Sequence, residues 1–245
     1  MGASTQRSIV FQGDADRADD LVVFLPPAGS VTSPYFPIGD LLADTLPAVH
    51  CETPGRGRLA AEEPPGSVHG AADRWATELA EALPGRRLHF FGHSLGALYA
   101  YELTLRFEAR PVCEAASLSA SGAREPGSTP RSLLTTAFAA LRAPDRQEGA
   151  GEQWMDRDLR MRGEYRTAHQ AVRAPLALLC GTSDPFARPA EMERWQRFTS
   201  GPYLGLSTFR GGHDYYLSDP RAIAEAITRT VHHSRHPEGS THRSD

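Results

Sequence analysis

The sequence predicts an α/β fold with a mostly parallel central sheet flanked by helices. Three observations lead there. Short apolar runs of strand length alternate with helical periodicities along the chain. The segment Gly92-His93-Ser94-Leu95-Gly96 stands between the apolar run Leu88-His89-Phe90-Phe91 and a helix-favouring stretch that begins at Ala97. The chain has 245 residues, 40% of them hydrophobic, which suffices for one core but not for two independent domains.

The elements follow in order. Leu21-Val22-Val23-Phe24-Leu25 reads as a buried strand that stops at Pro26-Pro27. A helix over 38–46 would place Ile38, Leu41, Leu42 and Thr45 on one side, and Pro47 ends it. Trp75, Leu79 and Leu83 recur every four residues and mark a second helix, closed by Pro84-Gly85. Residues 115–119, 176–180 and 204–209 are further strands. Met192 and Trp195 mark a helix in 189–199, and Ile223, Ile227 and Val231 mark the last one in 220–231.

The interval 121–173 is too long for a simple crossover and reads as a helical lid insertion. Thr129-Pro130 starts one lid helix, with an apolar stripe of Leu133, Leu134, Ala137, Phe138 and Leu141, and 154–165 forms a second, with Met155 and Leu159 one turn apart. The arginines interspersed with acids in this interval read as a solvated lid surface. The single domain is expected to span 1–231, and the His-, Ser- and Arg-rich tail 232–245 to be disordered.

Composition excludes several kinds of chemistry. All 26 basic residues are arginines, so Ser-Lys dyads, Schiff-base lysines and Walker-type phosphate sites are ruled out. The formal net charge of -4 gives no general attraction to nucleic acid or to an anionic membrane. No apolar run approaches the roughly 20 residues of a membrane span. Cys51, Cys113 and Cys180, odd in number and without C-x-x-C spacing, read as buried thiols of a protein in a reducing cytoplasm. No metal site and no bound cofactor is expected.

The segment around Ser94 has the form of a nucleophile elbow. A serine held in a sharp strand-to-helix turn leaves no room for side chains two residues before and after it, and Gly92 and Gly96 meet that demand. A serine hydroxyl needs an imidazole to take its proton and an acid to orient the imidazole. Among ten histidines, position leaves His213, in Gly211-Gly212-His213 after the strand 204–209. The acid should follow an earlier strand, as Asp184 does before Pro185; Asp214, Asp156 and Asp158 compete but are badly placed by sequence order. The order Ser, acid, His is that of α/β-hydrolases. An oxyanion would take the Leu95 amide and, since Pro26 and Pro27 have no N–H, the amide of Ala28, followed by Gly29.

These residues resemble the stand-alone type II thioesterases of polyketide and nonribosomal peptide synthetases. The likeness covers nearly the whole chain: Phe24-Leu25-Pro26-Pro27-Ala28-Gly29, Thr53-Pro54-Gly55-Arg56-Gly57, Gly92 to Gly96, Gly181 to Pro185 followed by Trp195, and Gly211-Gly212-His213. It implies an α/β-hydrolase fold with a helical lid and hydrolysis of acyl groups from the phosphopantetheine thiol of acyl or peptidyl carrier proteins. It also implies the triad Ser94, Asp184 and His213 and an oxyanion hole of the Ala28 and Leu95 amides. The chain departs from the family pattern at Pro27 and Ser30, at Asp214 directly after His213, and in a lid that reads as short. Three other functions stay open: an acyltransferase or cyclase of the same fold, with an amine or alcohol in place of water, a plain carboxylester hydrolase, and a non-catalytic carrier-binding protein.

Overall fold

The computed structural model describes residues 6–128 and 152–236. Its strands are β1 (Ile9–Gln12), β2 (Asp20–Leu25), β3 (Ala48–Cys51), β4 (Arg87–His93), β5 (Glu114–Ser121), β6 (Leu176–Gly181) and β7 (Tyr203–Phe209). Its helices are α1 (Phe36–Leu42), α2 (Val68–Ala82), α3 (Leu95–Ala109), α4 (Glu152–Glu164), α5 (Pro189–Met192), α6 (Tyr215–Ser218) and α7 (Pro220–Arg235). The strands form one sheet in the order β1-β3-β2-β4-β5-β6-β7, parallel except for β1, which pairs antiparallel with β3. This is the mostly parallel sheet that the alternation of elements predicts, and it fits the α/β-hydrolase fold that the resemblance implies.

Alternation along each strand divides the interior into two cores. In β2, Leu21, Val23 and Leu25 face the core that holds Trp75 of α2 and Tyr99 of α3, while Val22 and Phe24 face the one that holds Ile38 of α1 and Ile223 of α7. Both faces of the sheet are therefore dry, which is why these strands read as unbroken apolar runs. Tertiary packing and caps fix the helices. Ser67 accepts the Gly70 amide at 3.0 Å to start α2, and Asp219 accepts the Ala222 amide at 3.0 Å before Pro220 opens α7.

Several boundaries differ from the sequence reading. β1 and β3 were not predicted. In α1 the buried side is Ile38, Gly39 and Leu42, whereas Leu41 is 44% exposed and Thr45 also faces solvent. β5 runs to Ser121, a buried residue, two residues beyond the strand predicted over 115–119. α7 continues to Arg235, four residues into the stretch expected to be disordered. Val231 is its last buried apolar residue, but His232, His233 and Arg235 place cationic or polar groups at the helix's negative end, and the His236 amide closes it on the His232 carbonyl at 3.1 Å. The predicted lid helix at 129–141 and the rest of the tail lie outside the described residues. The helix predicted over 154–165 is present as α4.

Candidate active site

Ser94 sits between β4 and α3 with φ 56° and ψ -115°, a conformation costly for a residue with a Cβ. The neighbouring glycines show what forces it. A Cβ on Gly92 would lie 2.0 Å from the Gly96 carbonyl oxygen, and one on Gly96 would lie 2.4 Å from that of Leu25. The elbow thus packs helix, strand and the end of β2 into one volume, as the spacing required. The Ser94 amide is anchored on the Ser121 carbonyl at 2.8 Å, and its hydroxyl makes no hydrogen bond to any described residue.

Asp184 and His213 meet at the ends of β6 and β7. His213 Nδ1 lies 2.8 Å from Asp184 Oδ2, while Asp184 Oδ1 accepts the amides of Phe186 at 2.8 Å and Ala187 at 3.2 Å. The Asp184 side chain is fully buried; that of His213 is 21% exposed. The two loops are interlocked, since Ser183 donates both its amide, at 2.9 Å, and its hydroxyl, at 2.8 Å, to the Gly211 carbonyl. Of the competing acids, Asp158 is engaged elsewhere.

His93, beside the nucleophile, is bonded to Ser121 and not to Ser94. It is buried, with Nδ1 2.8 Å from Ser121 Oγ, which is itself 2.5 Å from the Tyr215 hydroxyl. Its ring lies 4.5 Å from those of His213 and Tyr216, and the ring of Phe186 covers His213 edge-on at 5.0 Å. Burial, with the charges of His213 and Arg162 adding to it, holds the His93 imidazole neutral well below the ordinary histidine range. The link between His93 and His213 brings the end of β4 to the imidazole bound to Asp184.

The proposed oxyanion donors are distinguished by their partners. The Gly29 amide donates to Asp158 Oδ2 at 2.8 Å, whereas the amides of Ala28 and Leu95 donate to no other described residue. Leu95 opens α3, whose first amides have no helical acceptor and point toward any anion at the elbow.

Sequence reasoning missed four supporting features. Gly181 must lack a side chain because its Cβ would fall 2.2 Å from the Gly212 oxygen, and Gly122 because its Cβ would fall 2.2 Å from the His93 ring. Arg56 forms a buried bidentate pair with Asp158 on α4, at 2.9 and 2.7 Å. Arg162, read as part of a solvated surface, has its Nη1 sealed from solvent. The Pro-Gly-Arg-Gly run could have signalled Arg56; nothing local signals the sealing of Arg162 Nη1.

Among the described residues no helix is long and apolar enough to cross a membrane. The family profile of the thioesterase domain matches residues 21–234. The protein is 33% identical over 214 residues to "Thioesterase PikA5" of Streptomyces venezuelae, covering 81% of this chain and 75% of the relative. It is 30% identical over 230 residues to "Probable cadicidin biosynthesis thioesterase" of Streptomyces griseus, covering 87% of this chain and 63% of that one. Among solved structures, the type II thioesterase BorB from the borrelidin biosynthetic cluster aligns with a TM-score of 0.78 at 27% identity, over 94% of this chain and 98% of the other. YbtT, a type II thioesterase from the yersiniabactin pathway, shares the fold at a TM-score of 0.80 and 24% identity, over 93% and 99%.

Proposed function

The chain belongs to the thioesterase family, and from that premise we propose that Ser94, His213 and Asp184 form a triad that hydrolyses acyl groups from the phosphopantetheine thiol of carrier proteins in polyketide or nonribosomal peptide assembly. The observation that carries this reading is the His213 Nδ1 to Asp184 Oδ2 contact of 2.8 Å, with the His213 ring 4.5 Å from that of His93, the residue before the strained Ser94. A carboxylate on Nδ1 fixes that nitrogen as the protonated one, which leaves Nε2 as the base.

In the reaction, the Ser94 hydroxyl attacks the thioester carbonyl and passes its proton to His213 Nε2. The resulting oxyanion accepts from the amides of Ala28 and Leu95. Collapse expels the pantetheine thiolate, which takes the proton from the imidazolium and leaves an ester on Ser94. Water then attacks the ester with His213 again as base, releasing the acid and restoring the serine. No metal or bound cofactor takes part, since the pantetheine arm belongs to the substrate. Apo active sites commonly make the serine-to-histidine bond only once substrate is seated.

In this reading α4 is part of a lid that belongs to the same domain, held over the loop after β2 by Asp158. The partner is an acyl or peptidyl carrier domain, and the buried thiols fit a cytoplasmic place of work. Intact-mass analysis of carrier proteins loaded with short acyl thioesters tests the proposal. The protein is expected to return the free thiol and to be labelled on Ser94 by a fluorophosphonate. Ser94→Ala should do neither while keeping its fold; retained turnover in that variant removes Ser94 from the mechanism.

A further inference from the structure

Ser121 is the point at which the elbow and the loop of the proposed base are tied together. It ends β5, is fully buried, and is engaged through both its backbone and its side chain. Its carbonyl accepts the Ser94 amide at 2.8 Å, and its hydroxyl lies 2.8 Å from His93 Nδ1 and 2.5 Å from the Tyr215 hydroxyl. His93 directly precedes Ser94, and Tyr215 follows His213 by two residues. One side chain thus reaches both the residue before the nucleophile and the turn that carries the base.

The surroundings leave this chain of bonds little freedom. His93 and Tyr215 are buried, so neither has water as an alternative partner. His93 Nε2 has no hydrogen-bond partner, so among the described residues the Ser121 hydroxyl alone orients that ring by a polar contact. The ring lies 4.5 Å from those of His213 and Tyr216, and a Cβ on Gly122 would fall 2.2 Å from it, so a glycine after Ser121 is what admits the imidazole. Gly122 donates its amide to the Leu179 carbonyl at 2.9 Å, which stitches the end of β5 to the strand that leads to Asp184. At the other end, the Tyr215 ring stacks on Phe209, the last residue of β7, at 5.2 Å and 11°. The hydroxyl protons have a consistent order too. Tyr215 donating to Ser121, and Ser121 donating to His93 Nδ1, uses each of them once and leaves His93 neutral.

We propose that Ser121 is a positioning residue for the reaction, its hydroxyl holding His93 and Tyr215 together so that Ser94 and the His213 imidazole keep one spacing. The inference rests on the reading of Ser94 as nucleophile and His213 as base. Packed rings alone would let His213 slide across His93, whereas two directed bonds to one buried oxygen fix the turn after His213 relative to the elbow. Losing that alignment slows the chemical step and leaves substrate binding almost untouched.

Two variants test this with little disturbance of packing. Tyr215→Phe removes one oxygen and keeps the ring on Phe209; Ser121→Ala removes the hydroxyl and keeps the carbonyl that holds Ser94. Each is expected to slow fluorophosphonate labelling of Ser94 and to lower kcat for acyl-thioester hydrolysis at least about tenfold, with KM within about twofold. The double variant should lose no more than the worse single one, because the same chain is broken once. A lower thermal midpoint with labelling and kcat unchanged makes these contacts scaffold only and overturns the inference. So does a loss confined to KM, and so do single losses that multiply in the double variant. If the unsubstituted protein neither labels nor hydrolyses, it is the triad reading that fails. The tie is then read by nuclear magnetic resonance of histidines labelled with heavy nitrogen, where Tyr215→Phe should move the ring signals of His213 as well as those of His93. A His213 signal that stays in place overturns the inference by itself.

Discussion

Arg56 and Asp158, distant in sequence, close on each other as a bidentate pair at 2.9 and 2.7 Å, with side chains only 1% and 4% exposed. The pair joins three parts of the molecule. Arg56 also donates to the Ser30 carbonyl at 3.1 Å and lies 5.1 Å from the centre of the Trp154 ring, while Asp158 holds the Gly29 amide. Asp158 thus occupies the Gly29 amide, whereas the preceding Ala28 amide donates to no other described residue.

Removing one member of this pair strands a buried charge. Asp158→Ala is expected to lower stability by about 3 kcal/mol, read from urea unfolding, and to reduce kcat more than KM because the loop bearing Ala28 loosens. The double variant Arg56→Met with Asp158→Leu should regain most of the stability without regaining kcat. Recovery of both would show that the pair does not position the loop.

Ser94 is held at φ 56°, at a cost in stability. Ser94→Gly should therefore stabilise the protein by about 1 kcal/mol while abolishing turnover, measured by thermal unfolding and thioester hydrolysis. Gly92→Ala should do the reverse to the fold, since its Cβ would fall 2.0 Å from the Gly96 oxygen. A destabilised Ser94→Gly protein would mean that the elbow is not strained.

The elbow, the sheet and the contact between Asp184 and His213 were legible because each rests on local signals. Glycines flank Ser94, apolar runs mark β2, β4 and β6, and Asp184 and His213 follow their strands. β3 was not legible, because His50 interrupts its apolar run. That ring is accommodated only in the folded chain, with Nδ1 2.7 Å from Ser33 Oγ and Nε2 2.7 Å from Gln12 Oε1. The sealing of Arg162 Nη1 was not legible for the same reason: alternating charges on a short helix look solvated throughout until the chain folds. The end of β5 was not legible because Ser121 is polar, although its hydroxyl bonds His93 and Tyr215 inside the body.

Gly181 links the two loops of the proposed acid and base. Its substitution by alanine would drive a methyl into the Gly212 oxygen, 2.2 Å away, and so displace the turn that aims His213. Gly181→Ala is expected to lower kcat by at least about tenfold, a misplacement effect, with fluorophosphonate labelling of Ser94 slowed in parallel. Unchanged labelling would mean that the imidazole tolerates the shift.

His50 gives the protein a pH dependence that is separate from catalysis. Burial, opposed weakly by Asp40, lowers its folded value from 6.5 to about 4. The unfolded chain therefore binds a proton that the native chain refuses between those values, so this contribution is present above pH 6.5 and is lost as the pH falls toward 4. The loss amounts to roughly 3 kcal/mol. His50→Gln removes the titrating group while keeping an amide able to reach Ser33 or Gln12. Urea unfolding at pH 7 and pH 4.5 should show a clearly smaller difference for His50→Gln than for the unsubstituted protein; equal slopes would place the acid sensitivity on His89 and His93, whose burial acts in the same direction.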